Sequence, residues 1–451
     1  WLDRNRNKRN MNHTKHILHT FALVCSSFVA TADNWPGFRG VDAVGVSTED
    51  GIPDKWSAEQ NVAWKVKVPG RAWSSPIVWG DRVIVTTAVT DGQVESPKRG
   101  LYFGGERKEP HKHVYRWEVH CYSLKDGTLL WKRLAREAKP QSPIHLKNTY
   151  ASETPVTDGK HIVVSFGSAG LYCYDMQGRP QWQKDLGVFK MLYSWGTASS
   201  PVIHGDTVYA QCDNEEQSYL VALDKATGKQ KWRVDRTSTS SWSTPYVWVN
   251  KQRTELVTCA KEGVRSYDPA TGKQLWQLRG MSKFVITMPS AGNGMLYVNS
   301  GYVGDKVKPI YAIKPGGKGD ITLGKNMTSN EYVAWSSSRI GSYNPSPLLL
   351  GERLYVLYDR GIFSCFNALT GEQVYKARLT GGTGQFTTSP WSHGGKIFCS
   401  NEYGQTWVLK PGDTFKILHM NELDEMFMAS PAIANGALIL RGMNFLYCVR
   451  R

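Results

Sequence analysis

The 451 residues include 43 Gly, 21 Pro, 17 Trp and 21 Tyr, with only 21% charged residues. This composition suits many short strands joined by turns, with aromatic side chains packed between sheets. The net charge of +16 is carried by scattered Lys and Arg, with no basic stripe and no nucleic-acid-binding module. That excludes nucleic acid as a partner and leaves a basic surface able to meet anionic glycan or lipid headgroups.

Residues 1–10 precede Met11 and read as an upstream extension. From Met11 the order is that of a secretory signal: a polar stretch with Lys15, an apolar run over residues 17–29, and small residues at Ala30-Thr31-Ala32. The run is too short to span a bilayer. Val24 before Cys25 is too bulky for lipoprotein processing, which argues against a lipid anchor. Residues 11–32 are therefore expected to be a removed signal peptide, giving an exported protein, periplasmic or secreted, that starts at Asp33. Cleavage removes five basic residues and one acid and leaves about +12. No later segment has the pattern of a membrane span.

Residues 33–60 read as an irregular, Gly-rich lead-in that packs Trp35 and Trp56. Residues 61–451 are organised by one repeat. A Ser/Thr-Pro step followed by a β-branched strand recurs at Ser75-Pro76, Thr154-Pro155, Ser200-Pro201, Thr244-Pro245, Ser346-Pro347, Ser389-Pro390 and Ser430-Pro431, with Met288-Pro289 in the same place. These eight steps lie 41 to 46 residues apart, except for two longer gaps of 79 and 58 that hold insertions. Each unit continues through a Gly/Asp turn, a Val/Ile/Tyr strand, a strand ending in a small residue, and an Asp-x-x-Thr-Gly turn leading to Trp. Residues 222–232 and 266–276 are the clearest copies. Gly supplies φ > 0 and Asp bonds its own backbone, so the turns make tight hairpins. Four such strands cannot bury both faces alone and must stack radially.

The last unit has only three strands, and the strand around Trp64 is free to complete it. The expectation is an all-β, eight-bladed propeller of four-stranded antiparallel blades, its last blade closed by the N-terminal strand. Trp64, Trp131, Trp182, Trp232, Trp276 and Tyr375 are expected to dock one blade on the next. The third turns near Pro315 and Pro411 are degenerate, and residues 90–116 read as a polar loop in blade 1.

The Asp-x-x-Thr-Gly-x-x-x-Trp turns, with Trp35-Pro-Gly-Phe-Arg-Gly at the start, resemble the PQQ-like (quinoprotein-type) β-propeller repeat family. Its repeats occur in quinoprotein alcohol dehydrogenases and in the propeller lipoprotein of the outer-membrane barrel-assembly machine. The resemblance implies the fold more firmly than any cofactor. Quinoprotein dehydrogenases use adjacent cysteines beneath pyrroloquinoline quinone and a calcium ion, and no Cys-Cys pair occurs here.

The cysteines follow the repeat. Cys121, Cys173, Cys365 and Cys448 share the small-residue slot with Ala222 and Ser266, which is a packing position rather than a disulfide framework. His111, His113 and His120 have no partnering ligand pattern, so no metal site is assigned. The loops entering each Pro step carry Trp73, Tyr150, Trp195, Trp242, Phe284, Tyr343, Phe386 and Phe427. With Arg71, Glu153, Asn344 and Gln385 these are candidates for a binding rim around the central channel, the other reading being wedges between blades. The sequence thus points to a monomeric, non-catalytic scaffold of the bacterial cell envelope that binds a protein, peptide or glycan, with no cofactor. The alternative is an alcohol or sugar dehydrogenase using pyrroloquinoline quinone and calcium.

Overall fold

The computed structural model describes residues 34–101, 104–382 and 384–451. The extension and the expected signal peptide lie outside the described residues.

Eight sheets are arranged around one axis. Blade 1 runs Ile77–Trp79, Arg82–Val89, Tyr115–Ser123 and Leu129–Ala138, from the axis outward. Blade 3 (Val202–His204, Thr207–Cys212, Ser218–Asp224, Gln230–Arg236) shows why the sequence folds this way. Its two middle strands are buried almost throughout, because neighbouring blades cover both faces, so they read as apolar and β-branched runs. Its outermost strand alternates exposed and half-buried side chains and carries the charges.

Ring closure follows the expected route. Val62–Lys67 pairs antiparallel with Phe445–Val449 and completes the sheet of Ala432–Ala434 and Ala437–Arg441. One blade departs from four antiparallel strands. Gly319–Asp320, inside the degenerate turn of blade 5, adds a short parallel fifth strand to the outer edge of blade 4 at Gln274–Leu278. The insertion there is long enough to reach back and cover that edge.

The small-residue slot faces the docking aromatic of its own blade: Cys121 pairs with Trp131, Cys173 with Trp182, Ala222 with Trp232, Ser266 with Trp276, Cys365 with Tyr375 and Cys448 with Trp64. Each indole then lies across the third turn of the next blade. Gly228 shows the constraint: its φ is +68°, and a Cβ there would sit 2.7 Å from the Trp182 ring. The indole N–H of Trp182 donates to the Lys225 carbonyl at 2.8 Å, and Trp64 and Trp232 make the same bond to Leu124 and Pro269 at 3.0 Å. Trp276 differs, donating to the buried Glu255 carboxylate of its own blade. Trp335, which the sequence reading missed because its turn is degenerate, docks on Gly371 and the Ala368 carbonyl. All seven described cysteines are free and buried. Burial pushes the thiols of Cys121, Cys173 and Cys448 up to about 12, which makes them inert packing groups.

The Ser/Thr of the Pro step has a second purpose. Its hydroxyl accepts the backbone N–H of the equivalent residue one blade earlier. Ser75 N–H donates to Thr154 Oγ1, Thr154 to Ser200 and Ser200 to Thr244, at 2.9 to 3.1 Å. The series resumes from Met288 to Ser346, Ser389 and Ser430, at 3.0 Å each. Met288 has no hydroxyl and, among the described residues, Ser75 Oγ accepts no N–H, so the belt breaks at blade 5 and between blades 8 and 1.

The lead-in crosses one end of the ring. Trp35 pairs with Val78 of blade 1, and the Pro36 carbonyl accepts Thr157 N–H of blade 2 at 2.8 Å. Ala43 and Phe38 join the apolar cluster of Tyr246 and Met288 at blades 4 and 5. The buried Arg39 guanidinium donates to the carbonyls of Pro347 at 2.9 Å and Pro390 at 3.3 Å, on blades 6 and 7. Gly40, at φ +76°, has the Trp35 ring only 2.6 Å from where a Cβ would stand. Trp56 packs on Phe398, with ring centroids 6.0 Å apart. Among the described residues no helix is long and apolar enough to cross a membrane.

Candidate functional site

Sealing one end of the ring leaves an axial cavity of about 710 Å³ open at the other. Its floor is Phe38 with the belt hydroxyls of Ser75, Thr154, Ser200, Thr244, Ser346, Ser389 and Ser430. The walls nearer the mouth carry Trp73, Trp195, Trp242, Tyr302 and Tyr343, with Tyr193 at the rim. The aromatics are continuous on one side: Trp195 and Trp242 centroids are 5.6 Å apart, Trp195 and Phe284 4.8 Å, Phe284 and Tyr302 4.4 Å, and Tyr302 and Tyr343 5.2 Å. Tyr193 and Ser194 hold φ of +53° and +57°, a conformation that costs non-glycine residues energy and concentrates at binding sites.

Of the eight rim aromatics read from sequence, Trp73, Trp195, Trp242 and Tyr343 open onto this cavity, while Tyr150, Phe284, Phe386 and Phe427 do not. The division has a physical cause. Phenylalanine has no polar end to leave in water, so Phe386 packs inward on Trp407 and Phe427 on Tyr447. Trp73 and Trp242 stay at the boundary, each indole donating at 2.7 Å to a carbonyl, of Lys147 and Gly196 respectively. Tyr150 turns toward Tyr115 and Trp117 beneath the blade 1 insertion.

Three of the four polar candidates also lie elsewhere. Arg71 anchors the blade 1 insertion, donating to the Glu95 carbonyl at 2.6 Å and Ser96 Oγ at 3.1 Å. Gln385 is buried, its Nε2 without a hydrogen-bond partner among the described residues. Glu153 is buried between blades 2 and 3 beside a void of about 20 Å³ shared with Gln211. Asn344 does line the cavity, its Nδ2 donating at 2.8 Å to Asp359, whose carboxyl burial pushes up to about 6.

The sequence reading missed several groups that shape the site. Gly100, Leu101 and Glu106 of the insertion line the cavity, so this loop partly roofs the mouth. It is clamped to blade 7: Gly100 N–H donates to Glu402 Oε2 at 2.8 Å, and Arg99 Nε to the Glu402 carbonyl at 2.9 Å. Lys147 Nζ lies 2.6 Å from Glu402 Oε1 and 2.8 Å from the Gly100 carbonyl. Lys147 and Glu402 are 255 positions apart, and no local pattern marks such a pair.

Among the described residues no three His, Cys, Asp or Glu side chains converge as a set that could hold a metal ion. Glu402 is committed to Lys147 and Asp359 to Asn344, and the cysteines are buried within the blade strands.

A family model described as the outer membrane protein assembly factor BamB matches residues 116–376 and again 260–422. The chain belongs to this BamB family of PQQ-like propellers. No curated protein matches its sequence. Among solved structures it is similar to BamB from Moraxella catarrhalis at 14% identity and TM-score 0.56, over 86% of this chain and 99% of that one. It is equally similar to the quinohemoprotein alcohol dehydrogenase of Comamonas testosteroni, at 11% identity and TM-score 0.58, over 92% of this chain and 80% of that one. At such identities the likeness shows the fold alone.

Glu153 gives the blade 2–3 junction a pH dependence. Burial raises its carboxyl from 4.5 to about 7, with hydrogen bonds from Thr197 and nearby backbone opposing incompletely. The fold therefore favours the protonated acid. Its stabilising contribution is complete below pH 4.5 and lost as pH rises to about 7. The thermal stability of wild type relative to Glu153→Gln should fall across that window, by about 3 kcal/mol, then level off. A flat difference from pH 4 to 8, measured by paired thermal melts, would show that Glu153 titrates normally.

Proposed function

We propose that the protein is an exported, monomeric, non-catalytic binding scaffold of the bacterial cell envelope, holding a protein, peptide or glycan partner at the open end of its propeller. The observation that carries this reading is the one-ended cavity itself. Its floor is closed by the chain's own lead-in, its mouth is rimmed by tryptophan and tyrosine, and the carboxylates just behind its wall, Glu402 and Asp359, are engaged by Lys147 and Asn344. Rigid aromatic anchors in a concave site are what recognition uses. Membership of a family described as an outer-membrane assembly factor and the signal-like order of residues 11–32 agree with export to the envelope.

The test is capture from envelope extract by wild type beside a Trp73→Ala/Trp242→Ala double variant, with matched melting curves to exclude unfolding. A partner retained by wild type and lost by the folded variant is expected. Equal capture by both would move the functional surface away from the axis. Adding pyrroloquinoline quinone and calcium to the purified protein should give no bound chromophore and no dye reduction. A stoichiometric cofactor would overturn the scaffold reading in favour of a dehydrogenase.

A further inference from the structure

The belt hydroxyls on the cavity floor have an unspent half. Six of them accept a backbone N–H from the neighbouring blade or from Met288, and Ser75 Oγ makes no hydrogen bond to a described group. None of the seven donates to a described protein group, although each side chain is more than nine-tenths buried and lines the cavity. A hydroxyl carries one O–H proton besides its acceptor lone pairs. The floor is therefore a ring of hydroxyls that each keep the O–H proton and at least one lone pair for a ligand.

The belt breaks at Met288, on blade 5, and the aromatic wall of Trp195, Trp242, Tyr302 and Tyr343 lies along blades 3 to 6. One side of the cavity thus offers flat apolar faces, and its floor offers donors. Charge is balanced: Lys147 is neutralised by Glu402, and the exposed mouth residues Arg360 and Glu106 have opposite signs. An extended peptide presents its N–H and C=O groups in line along a strand, not around a ring of hydroxyls. A polyol brings ring and hydroxyl oxygens that accept, together with a C–H face that stacks on an indole.

We propose that the axial cavity binds the end of a neutral glycan, its pyranose ring stacked on the wall of Trp195 and Trp242 and its oxygens accepting from the hydroxyl floor. This rests on the binding-scaffold reading and narrows its partner to a carbohydrate.

Ser75 makes the test clean, because its hydroxyl takes no part in the belt and Ser75→Ala leaves every inter-blade bond in place. The full chain is titrated calorimetrically with maltohexaose, cellohexaose, chitohexaose and mannohexaose, alongside Ser75→Ala and Trp195→Ala. At least one saccharide should bind one to one. Ser75→Ala should weaken it about three- to tenfold, the value of one hydrogen bond, and Trp195→Ala by at least about tenfold. Absence of binding by all four at millimolar concentration overturns the proposal, as does binding that neither substitution weakens. The scaffold reading fails separately, if the tryptophan double variant captures its envelope partner as well as wild type does. Loss of that capture without any saccharide binding leaves the scaffold standing and removes the glycan.

Discussion

Trp64→Ala should lower stability by about 3–5 kcal/mol, the cost of truncating a packed aromatic, and should open the ring at one place. The closure between Val62–Lys67 and Phe445–Val449 has no covalent link between its two strands, and only side-chain and lead-in contacts such as Arg441 Nη1 to the Thr86 carbonyl at 2.7 Å support the pairing. Trp64 stands at its centre, opposite Cys448, packed over Gly127 and hydrogen-bonded to the Leu124 carbonyl of blade 1. Losing the indole removes both the side-chain packing of the closing strand and its grip on the next blade. Amides of 445–449 should then exchange with solvent faster than those of any central strand, since opening becomes local rather than global. The released edge is apolar, reading Phe-Leu-Tyr-Cys-Val, so aggregation on heating should follow. Trp232→Ala removes a comparable contact, from the Pro269 carbonyl, at a joint where the chain itself continues between the blades. It should lower the denaturation midpoint without exposing residues 445–449. Equal exchange at 445–449 in the two variants would show that the seam is no weaker than any other joint.

The architecture was legible because each of its devices is local. A Gly at φ > 0, an Asp bonding its own turn and a Trp four residues after the Gly all fall within one repeat, so reading residues 222–232 amounts to reading a hairpin. Closure by Trp64 was legible because an unfinished unit at one terminus must find its missing strand. The site was legible only in part. That the loops before each Pro face the axis follows from the repeat, yet which aromatic turns inward depends on its neighbours. Residue type hints at the division, since Phe has no polar end, but Phe386 meets Trp407 and Trp73 meets the Lys147 carbonyl, partners that lie far along the chain. The floor was in plain sight as the Ser/Thr of the Pro step. Its inter-blade role emerges only when residues some 44 positions apart become neighbours. The plug formed by Phe38 and Arg39 had no sequence signal beyond an irregular, glycine-rich stretch, because carbonyls anywhere in the chain can receive a buried guanidinium.

The same logic of distant partners makes the blade 3–4 joint the most vulnerable point beneath the aromatic wall. Arg236 and Asp213 are fully buried and form a bidentate pair, Nε to Oδ1 at 2.8 Å and Nη2 to Oδ2 at 3.0 Å. Arg236 also donates across the joint to Thr258 Oγ1 and the Tyr267 hydroxyl of blade 4, and Asp213 accepts from Gln211 Nε2 at 2.7 Å. Gln211 in turn donates to the Cys259 carbonyl, which Ser241 also contacts, one residue before Trp242. Asp213→Ala leaves a guanidinium in the interior with only neutral partners. Breaking one half of a buried pair in this way costs about 3–5 kcal/mol. Replacing both halves, as Asp213→Leu with Arg236→Met, removes the stranded charge together with its partner and should recover most of that loss. Guanidinium denaturation of Asp213→Leu, Arg236→Met and the double reads this as a coupling energy, and amide exchange at residues 241–244 reports whether the wall moves with the joint. Asp213→Leu should speed that exchange and the double should restore it. If the double variant is as unstable as the sum of the singles, the pair acts through neutral hydrogen bonds alone, and the wall above it is held by other contacts.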